Sequence, residues 1–224
     1  MDMRRIFAST GLAALLLAGC ATSNLAQSVP KPAGVLSGPD IPYPIRSVAN
    51  GLVVVDVSLD ATGAVAGVNV VRDIPSLTSV VTSSIPSWKF TPALFQGKPV
   101  PSVMRIAAAF RPPAYFATGP AFPPLPPQGT SDPTRPADAV PGIISAAYPQ
   151  YPVNAAMPGT VIIQITVGRS GAIQHTKLVR DAPPFSHFTL DVLNRWRFQA
   201  PTPDGGPVPS NLAIAFVYAP LPAE

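Results

Sequence analysis

The chain has 224 residues, with 15 basic and 11 acidic side chains, a net charge of +4 and only 12% charged residues. The basic residues are scattered and do not alternate with aromatic ones, which excludes the usual kind of nucleic-acid-binding surface. The single cysteine excludes an internal disulfide, so apolar cores must stabilise the folded parts.

The N-terminal segment has the features of an export signal. Arg4 and Arg5 precede an apolar run over residues 6–18, and the sequence Leu-Ala-Gly ends at Cys20. The run is shorter than the roughly 20 residues of a membrane-spanning helix, which favours a signal peptide over residues 1–19. The sequence around Cys20 resembles the lipobox of bacterial lipoproteins. That resemblance implies lipidation of Cys20 and, because residue 21 is not aspartate, anchoring to the periplasmic face of the outer membrane.

Two segments rich in proline and small residues separate the parts that we expect to fold. Residues 20–41 are polar and interrupted by proline and glycine, which predicts a flexible tether. Residues 112–147 contain many of the 31 prolines. Such a segment favours the polyproline II conformation at about 3.1 Å per residue, so we predict a spacer rather than a ligand for an aromatic groove.

Two stretches of the chain repeat one another at a spacing of 108 residues. Aligned without a gap, residues 43–110 and 151–218 are identical at 19 of 68 positions. Most identities are Gly, Pro, Trp, Phe or the pair Arg-Asp, residue types that fix the backbone or anchor packing. Chance similarity would not keep one register over this length, so we infer an internal duplication.

Each repeat has the pattern of two strands, a helix and a last strand. Alternating apolar residues predict strands near 53–59 and 161–167, each followed by a glycine turn at Gly63 or Gly171 and a second strand near 64–72 or 172–180. Helical spacing predicts a helix before Trp196, and a shorter or distorted one before Trp88 because Pro86 interrupts it. Last strands follow near 102–110 and 210–218. The sequence therefore predicts an α+β fold of two tandem ββαβ domains, at 42–111 and 148–220.

These features in this order resemble the C-terminal domain of TonB-family energy transducers. The similarity rests on Tyr-Pro, a glycine, the two strands, the helix, Trp-[Lys/Arg]-Phe and Gly-x-Pro-Val. In that family the domain binds an extended peptide of an outer-membrane receptor, with its last strand as the accepting edge, by β-strand addition. A family transducer also has an uncleaved inner-membrane helix, which is replaced here by the cleavable signal.

The resemblance implies partner-binding residues on the last strands and on the Tyr-Pro pairs beside them. In the first repeat these are Tyr43, Pro44, Val103, Arg105 and Phe110; in the second they are Tyr151, Pro152, Leu212, Ile214, Phe216 and Tyr218. Either both repeats bind or one of them has lost binding, and the weaker helix predicted for the first repeat points to that repeat as the one that has lost it.

The sequence offers no catalytic constellation, and we predict no enzyme, cofactor, metal site or small-molecule substrate. The two histidines are His175 and His187, and His187 with Asp191 lacks a third ligand. The leading hypothesis is a non-enzymatic lipoprotein that docks onto envelope proteins and is associated with TonB-dependent transport. One alternative is an energy-transducing component of transport, and another is a structural or wall-binding envelope lipoprotein.

Overall fold

The structure is a computed structural model, which describes residues 30–44, 47, 49–111, 140–152, 155, 157–203 and 207–219. The first repeat contains strands β1 (Gly34–Ser37), β2 (Gly51–Leu59), β3 (Val65–Arg72), helix α1 (Pro75–Ser84), and strands β4 (Lys89–Thr91), β5 (Ala93–Phe95), β6 (Lys98–Val100) and β7 (Ser102–Arg111). The second contains β8 (Gly142–Ser145), β9 (Gly159–Val167), β10 (Ile173–Arg180), helix α2 (Phe185–Val192), β11 (Arg197–Gln199) and β12 (Ser210–Tyr218).

The two repeats share one six-stranded sheet. Its strand order is β10-β9-β12-β7-β2-β3. Equivalent strands of the two repeats therefore lie at equal distances on either side of the centre of the sheet. The last strands β7 and β12 meet at the centre and pair in parallel, while the other neighbours are antiparallel. The sheet therefore has a pseudo-twofold axis that runs between β7 and β12, along the strands.

This symmetry places the two helices on opposite faces of the sheet. Leu212 is equivalent to Met104 in the repeat but pairs with the next residue, Arg105. Because successive side chains of a strand point to opposite faces of the sheet, the equivalent residues Met104 and Leu212 also point to opposite faces. Met104 packs in the core under α1, whereas its equivalent Leu212 packs in the core under α2. The result is a sheet covered on both sides, with a separate apolar core on each side.

The segment before each repeat crosses the half-sheet of the other repeat. The first arm, which we define as residues 33–41, contacts the second repeat: Asn211 Nδ2 donates to the Ala33 carbonyl over 2.8 Å, and the Ile41 amide donates to Thr160 Oγ1 over 3.1 Å. The second arm, residues 141–149, contacts the first repeat: Arg105 Nη1 donates to the Pro141 carbonyl over 3.1 Å. The two repeats are therefore interleaved.

Short strands fasten each arm to its own repeat. β1 pairs with β4 and β8 pairs with β11, both antiparallel. β4 and β11 carry Phe90 and Phe198, which are buried beside Trp88 and Trp196. Each arm is thus hydrogen-bonded to its own repeat while its side chains cover the other one.

Several predictions from the sequence are confirmed. The strands, helices and last strands occur in both repeats in the expected order, which gives two tandem ββαβ units of α+β type. Gly63 and Gly171 adopt φ of 87° and 81° in the turns, a conformation that favours glycine. Trp88 and Trp196 are buried, as core anchors should be.

Other predictions are wrong. Residues 30–41 of the expected tether include β1 and the buried Ile41, and residues 142–145 of the expected spacer form β8. Helix α1 has 10 residues and α2 has 8, so the first repeat does not have the shorter helix. Pro86 explains this result, because it lies in a 3₁₀ turn after the helix has ended. Cys20 and residues 112–139 lie outside the described residues.

Candidate functional site

The last strands cannot accept a guest strand in this fold. β7 is hydrogen-bonded to β2 on one side and β12 on the other, and β12 is hydrogen-bonded to β9 and β7. The expectation that Val103 to Phe110 and Leu212 to Tyr218 form an accepting edge is therefore wrong. The physical reason is that the two repeats satisfy the backbone groups of each other's last strands.

Most of the predicted partner-binding side chains are part of the apolar cores. Phe110, Leu212, Ile214, Phe216 and Tyr218 are at most 1% exposed. The Tyr218 ring stacks on Phe185 of α2 with 4.1 Å between centroids, and its hydroxyl lies 2.7 Å from Thr189 Oγ1. These residues hold the helix to the sheet and are inaccessible to a partner. Val103, also predicted, is only half-buried.

Arg105 forms a buried ion pair instead of contacting a partner. Its Nε donates to Asp56 Oδ1 over 2.8 Å and its Nη2 donates to Asp56 Oδ2 over 3.0 Å. Both side chains are 6% exposed. Because the pair joins β7 to β2, it fixes the alignment of two strands within the first repeat.

The Tyr-Pro pairs lie at the ends of the central strands. The Tyr43 hydroxyl donates to the Ala49 carbonyl, and the ring packs edge-on against Phe110 with 5.6 Å between centroids. Tyr151 is buried and its hydroxyl donates to the Ala219 carbonyl. Burial raises the pKa of Tyr43 to about 12 and also raises the pKa of Tyr151. Pro44 is half-buried and Pro152 is buried, so these pairs close the end of the core.

The outer edges of the six-stranded sheet are formed by β3 and β10. Within the described residues, each of them pairs with one strand only. Each edge strand also exposes one large aliphatic side chain at an equivalent position of the repeat, Val70 at 36% and Leu178 at 39%. Sequence reasoning did not single out these strands as candidate sites, although their mixture of polar and apolar residues is typical of an edge.

A shallow cavity of about 300 Å³ lies where the first arm meets the second repeat. It is lined by residues of the arm, by the start of β9 and by the end of β12: Asp40, Ile41, Pro42, Tyr43, Pro158, Gly159, Thr160 and Tyr218. Tyr43 and Tyr218, two of the predicted residues from different repeats, are brought together here. Its lining has no ligand set for a metal.

Among the described residues no group of three or more His, Cys, Asp or Glu side chains could hold a metal ion. His187 Nε2 lies 3.5 Å from Asp191 Oδ2, and both side chains are largely exposed. This pair is a surface contact on α2. In the described part of the chain, neither helix is long and apolar enough to cross a membrane.

The repeats match a known family. The model of the Gram-negative bacterial TonB protein C-terminal domain matches residues 40–112 and 145–220, which together are more than half of the chain. The chain belongs to the TonB C-terminal family. Comparison with curated proteins and with solved structures gives no match.

Membership in the TonB C-terminal family sets the general function. The family domain is a non-catalytic interaction and transducer domain of the Gram-negative cell envelope, and it interacts with outer-membrane receptors. This TonB C-terminal protein is therefore involved in envelope transport or energy transduction. It has two copies of the domain, arranged so that the last strands are internal.

Proposed function

We propose that this protein is an outer-membrane lipoprotein that binds an extended segment of an outer-membrane receptor by β-strand addition at an outer edge of its sheet. The observation that carries the proposal is the position of β3 and β10, whose outer backbone groups have no strand partner within the described residues. Strand addition needs only such an edge, because the main-chain hydrogen bonds supply much of the affinity.

β3 is the better of the two acceptors. Both strands end in an arginine, Arg72 or Arg180, but β3 has no other charged residue, whereas β10 also has Lys177. Positive side chains on an edge strand are a common way of preventing further pairing. β10 is also engaged by the first arm, since Lys177 Nζ donates to the Val35 carbonyl over 2.9 Å. The exposed Val70 on β3 offers an apolar contact to a side chain of the guest.

Crosslinking in cells tests where the receptor binds. A photoreactive phenylalanine at Val70 should capture an outer-membrane receptor, identified by mass spectrometry, and the same residue at Leu178 should capture less. Ser83, exposed on α1, is the control position. Capture of the same receptor at Ser83 with equal yield would contradict binding at the sheet edge.

A matched pair of substitutions tests the choice of edge. Val70→Lys places a charge on β3, and Leu178→Lys places the same charge at the equivalent position of β10. We expect Val70→Lys to lower receptor co-purification about tenfold, as for the loss of one good contact, and Leu178→Lys to leave it unchanged. The reverse result would assign binding to β10, and no effect of either substitution would reject strand addition at both edges.

The lipid anchor is supported by the sequence before residue 21 and by the envelope location of the family. Cys20 follows Leu-Ala-Gly, as the acylated cysteine of a lipobox does. Cys20→Ser should release the protein from the membrane fraction into the soluble periplasmic fraction. Retention of the Cys20→Ser variant in the outer membrane would show that another part of the chain attaches it.

A further inference from the structure

A buried arginine with free hydrogen-bond donors lies at the end of β7. Arg111 is 3% exposed, and its Nε and Nη2 atoms have no hydrogen-bond partner among the described residues. Its guanidinium lies over the Tyr148 ring, 5.4 Å from the centroid. Arg72, at the end of β3, has a buried Nη1 atom that also lacks a partner. A buried charge without hydrogen bonds is costly, so this arrangement needs an explanation.

The unpartnered atoms of Arg111 are the two that bind carboxylates elsewhere in this protein. Arg105 uses Nε and Nη2 to hold both oxygens of Asp56. Arg180 uses the same two atoms to hold both oxygens of Asp40. The Nε–Nη2 side of a guanidinium matches the two oxygens of a carboxylate in a bidentate geometry. In the described part of the chain, Arg111 presents this side with no acceptor on it.

The pseudo-twofold axis shows which group is missing in the first half of the sheet. In the second half, Arg180 of β10 pairs with Asp40 of the first arm. The equivalent residues in the first half are Arg72 of β3 and Tyr148 of the second arm. Tyr148 therefore occupies the position at which Arg72 would have a carboxylate partner, and the same tyrosine lies against the Arg111 guanidinium.

No described carboxylate compensates the two arginines. Burial lowers the pKa of both Arg72 and Arg111, and the groups that act in the opposite direction are tyrosines, chiefly Tyr148. Arg111 also faces Tyr43, Tyr151 and Tyr218. The groups that act on Arg111 are thus aromatic and hydroxyl-bearing, and none of the described acidic residues is among them.

We propose that Arg111 binds a carboxylate group, which its Nε–Nη2 side holds in the bidentate manner of Arg105 and Arg180. The Tyr148 ring lies against the same guanidinium. The Tyr148 hydroxyl contacts Asn50 Oδ1 over 3.0 Å.

The carboxylate has two possible sources, a partner and this chain itself. Asp132, Asp138, Asp204 and Glu224 lie outside the described residues. A variant with amides in place of these four side-chain carboxylates removes this internal source. The intact mature chain retains it.

The test follows the Nε–H signal of Arg111 by NMR during titration with sodium acetate, with sodium chloride at equal ionic strength as the control. We expect a saturable shift of the Arg111 signal and no shift of the Arg105 signal, because Asp56 already occupies Arg105. The Arg111→Gln variant assigns the signal. A shift only in the amide variant identifies the chain's own carboxylate as the occupant, and a shift in both proteins identifies an external one.

A second measurement does not depend on a single signal. Acetate should raise the melting temperature of whichever protein responds, relative to chloride, because a ligand that binds the folded state stabilises it. Arg111→Lys keeps the charge but loses the bidentate geometry, so the acetate dissociation constant should rise about tenfold. Equal responses to acetate and chloride in both proteins, or a response to phosphate without one to acetate, would overturn the proposal.

Discussion

At the scale of single residues, two ion pairs of the same geometry differ in burial. The pair of Arg105 and Asp56 has side chains that are 6% exposed, whereas Arg180 and Asp40 are 34% and 56% exposed. Removing one partner of a buried pair leaves a charge without compensation, while solvent and salt screen an exposed pair. The buried pair should therefore dominate the charge contribution to stability.

Replacement of each aspartate by asparagine tests this difference. Asp56→Asn should lower the free energy of unfolding by about 3 kcal/mol, because Arg105 stays buried without its counter-charge. Asp40→Asn should lower it by less than about 1 kcal/mol. Urea unfolding of both variants measures the two values. Equal losses would mean that the position of Asp56 in the sheet does not isolate it from solvent.

The tyrosines predict a loss of stability at alkaline pH. Burial raises the pKa of Tyr43 to about 12, and it also raises the pKa of Tyr148, Tyr151 and Tyr218. The unfolded chain releases these protons near pH 10, before the folded one does, so stability is complete below pH 10 and decreases as the pH rises further. Unfolding measured between pH 8 and about 12 should show the decrease, and Tyr43→Phe should make it smaller.

At the scale of elements, the turn between β2 and β3 depends on one glycine. Gly63 has φ of 87°, and a Cβ atom there would lie 2.7 Å from the Phe90 carbonyl oxygen. Gly63→Ala should cost at least about 1 kcal/mol of the free energy of unfolding, because the conformation and the space are both unsuitable. Gly67→Ala on β3 is the matched control, since a Cβ atom there meets nothing within 4 Å. Thermal unfolding of the two variants should shift the melting temperature down only for Gly63→Ala.

The strands and helices of each repeat could be predicted from the local sequence pattern, whereas the pairing of strands between the repeats could not. Alternation and turn glycines locate β2, β3, β9 and β10, because those signals depend on neighbouring residues. The pairing of β7 with β12 joins residues of different repeats, so no pattern within one repeat specifies it. Two short strands, β1 and β8, were also missed because four residues give no period.

One signal could have revealed that the last strands are central. Residues 106–110 and 212–218 are apolar without alternation and include several alanines. Such continuous apolar runs are typical of strands that are buried on both faces, whereas an accepting edge strand has one solvated face. Alanine at 107, 108, 109, 213 and 215 also leaves room for side chains of the neighbouring strands. The assignment of Arg105, Phe110 and Tyr218 as exposed binding residues conflicts with this pattern.

At the scale of the whole molecule, the fold is one structural unit made of two repeats. The α2 core includes Leu52 and Val54 of the first repeat, and the α1 core includes Ile162 and Val217 of the second. Neither core is complete without the other repeat. If the duplication began as two separate domains, this arrangement removed one free strand edge from each of them. Among the described strands, β3 and β10 are left at the margins of the six-stranded sheet.

Interleaving predicts that the repeats unfold together and remain associated after the connection between them is cut. The whole chain should show a single calorimetric transition whose van't Hoff and calorimetric enthalpies agree. A protease site placed within residues 112–139 allows cleavage without disturbing a described element, and the two fragments should still co-elute in size-exclusion chromatography. The isolated fragment ending at residue 139 should lack a cooperative unfolding transition. Its strand β7 has lost the pairing with β12, and the apolar residues that the first repeat contributes to the α2 core are exposed to solvent. Two separate transitions, or stable monomeric fragments, would show that each repeat folds alone and that the shared sheet is not required for stability.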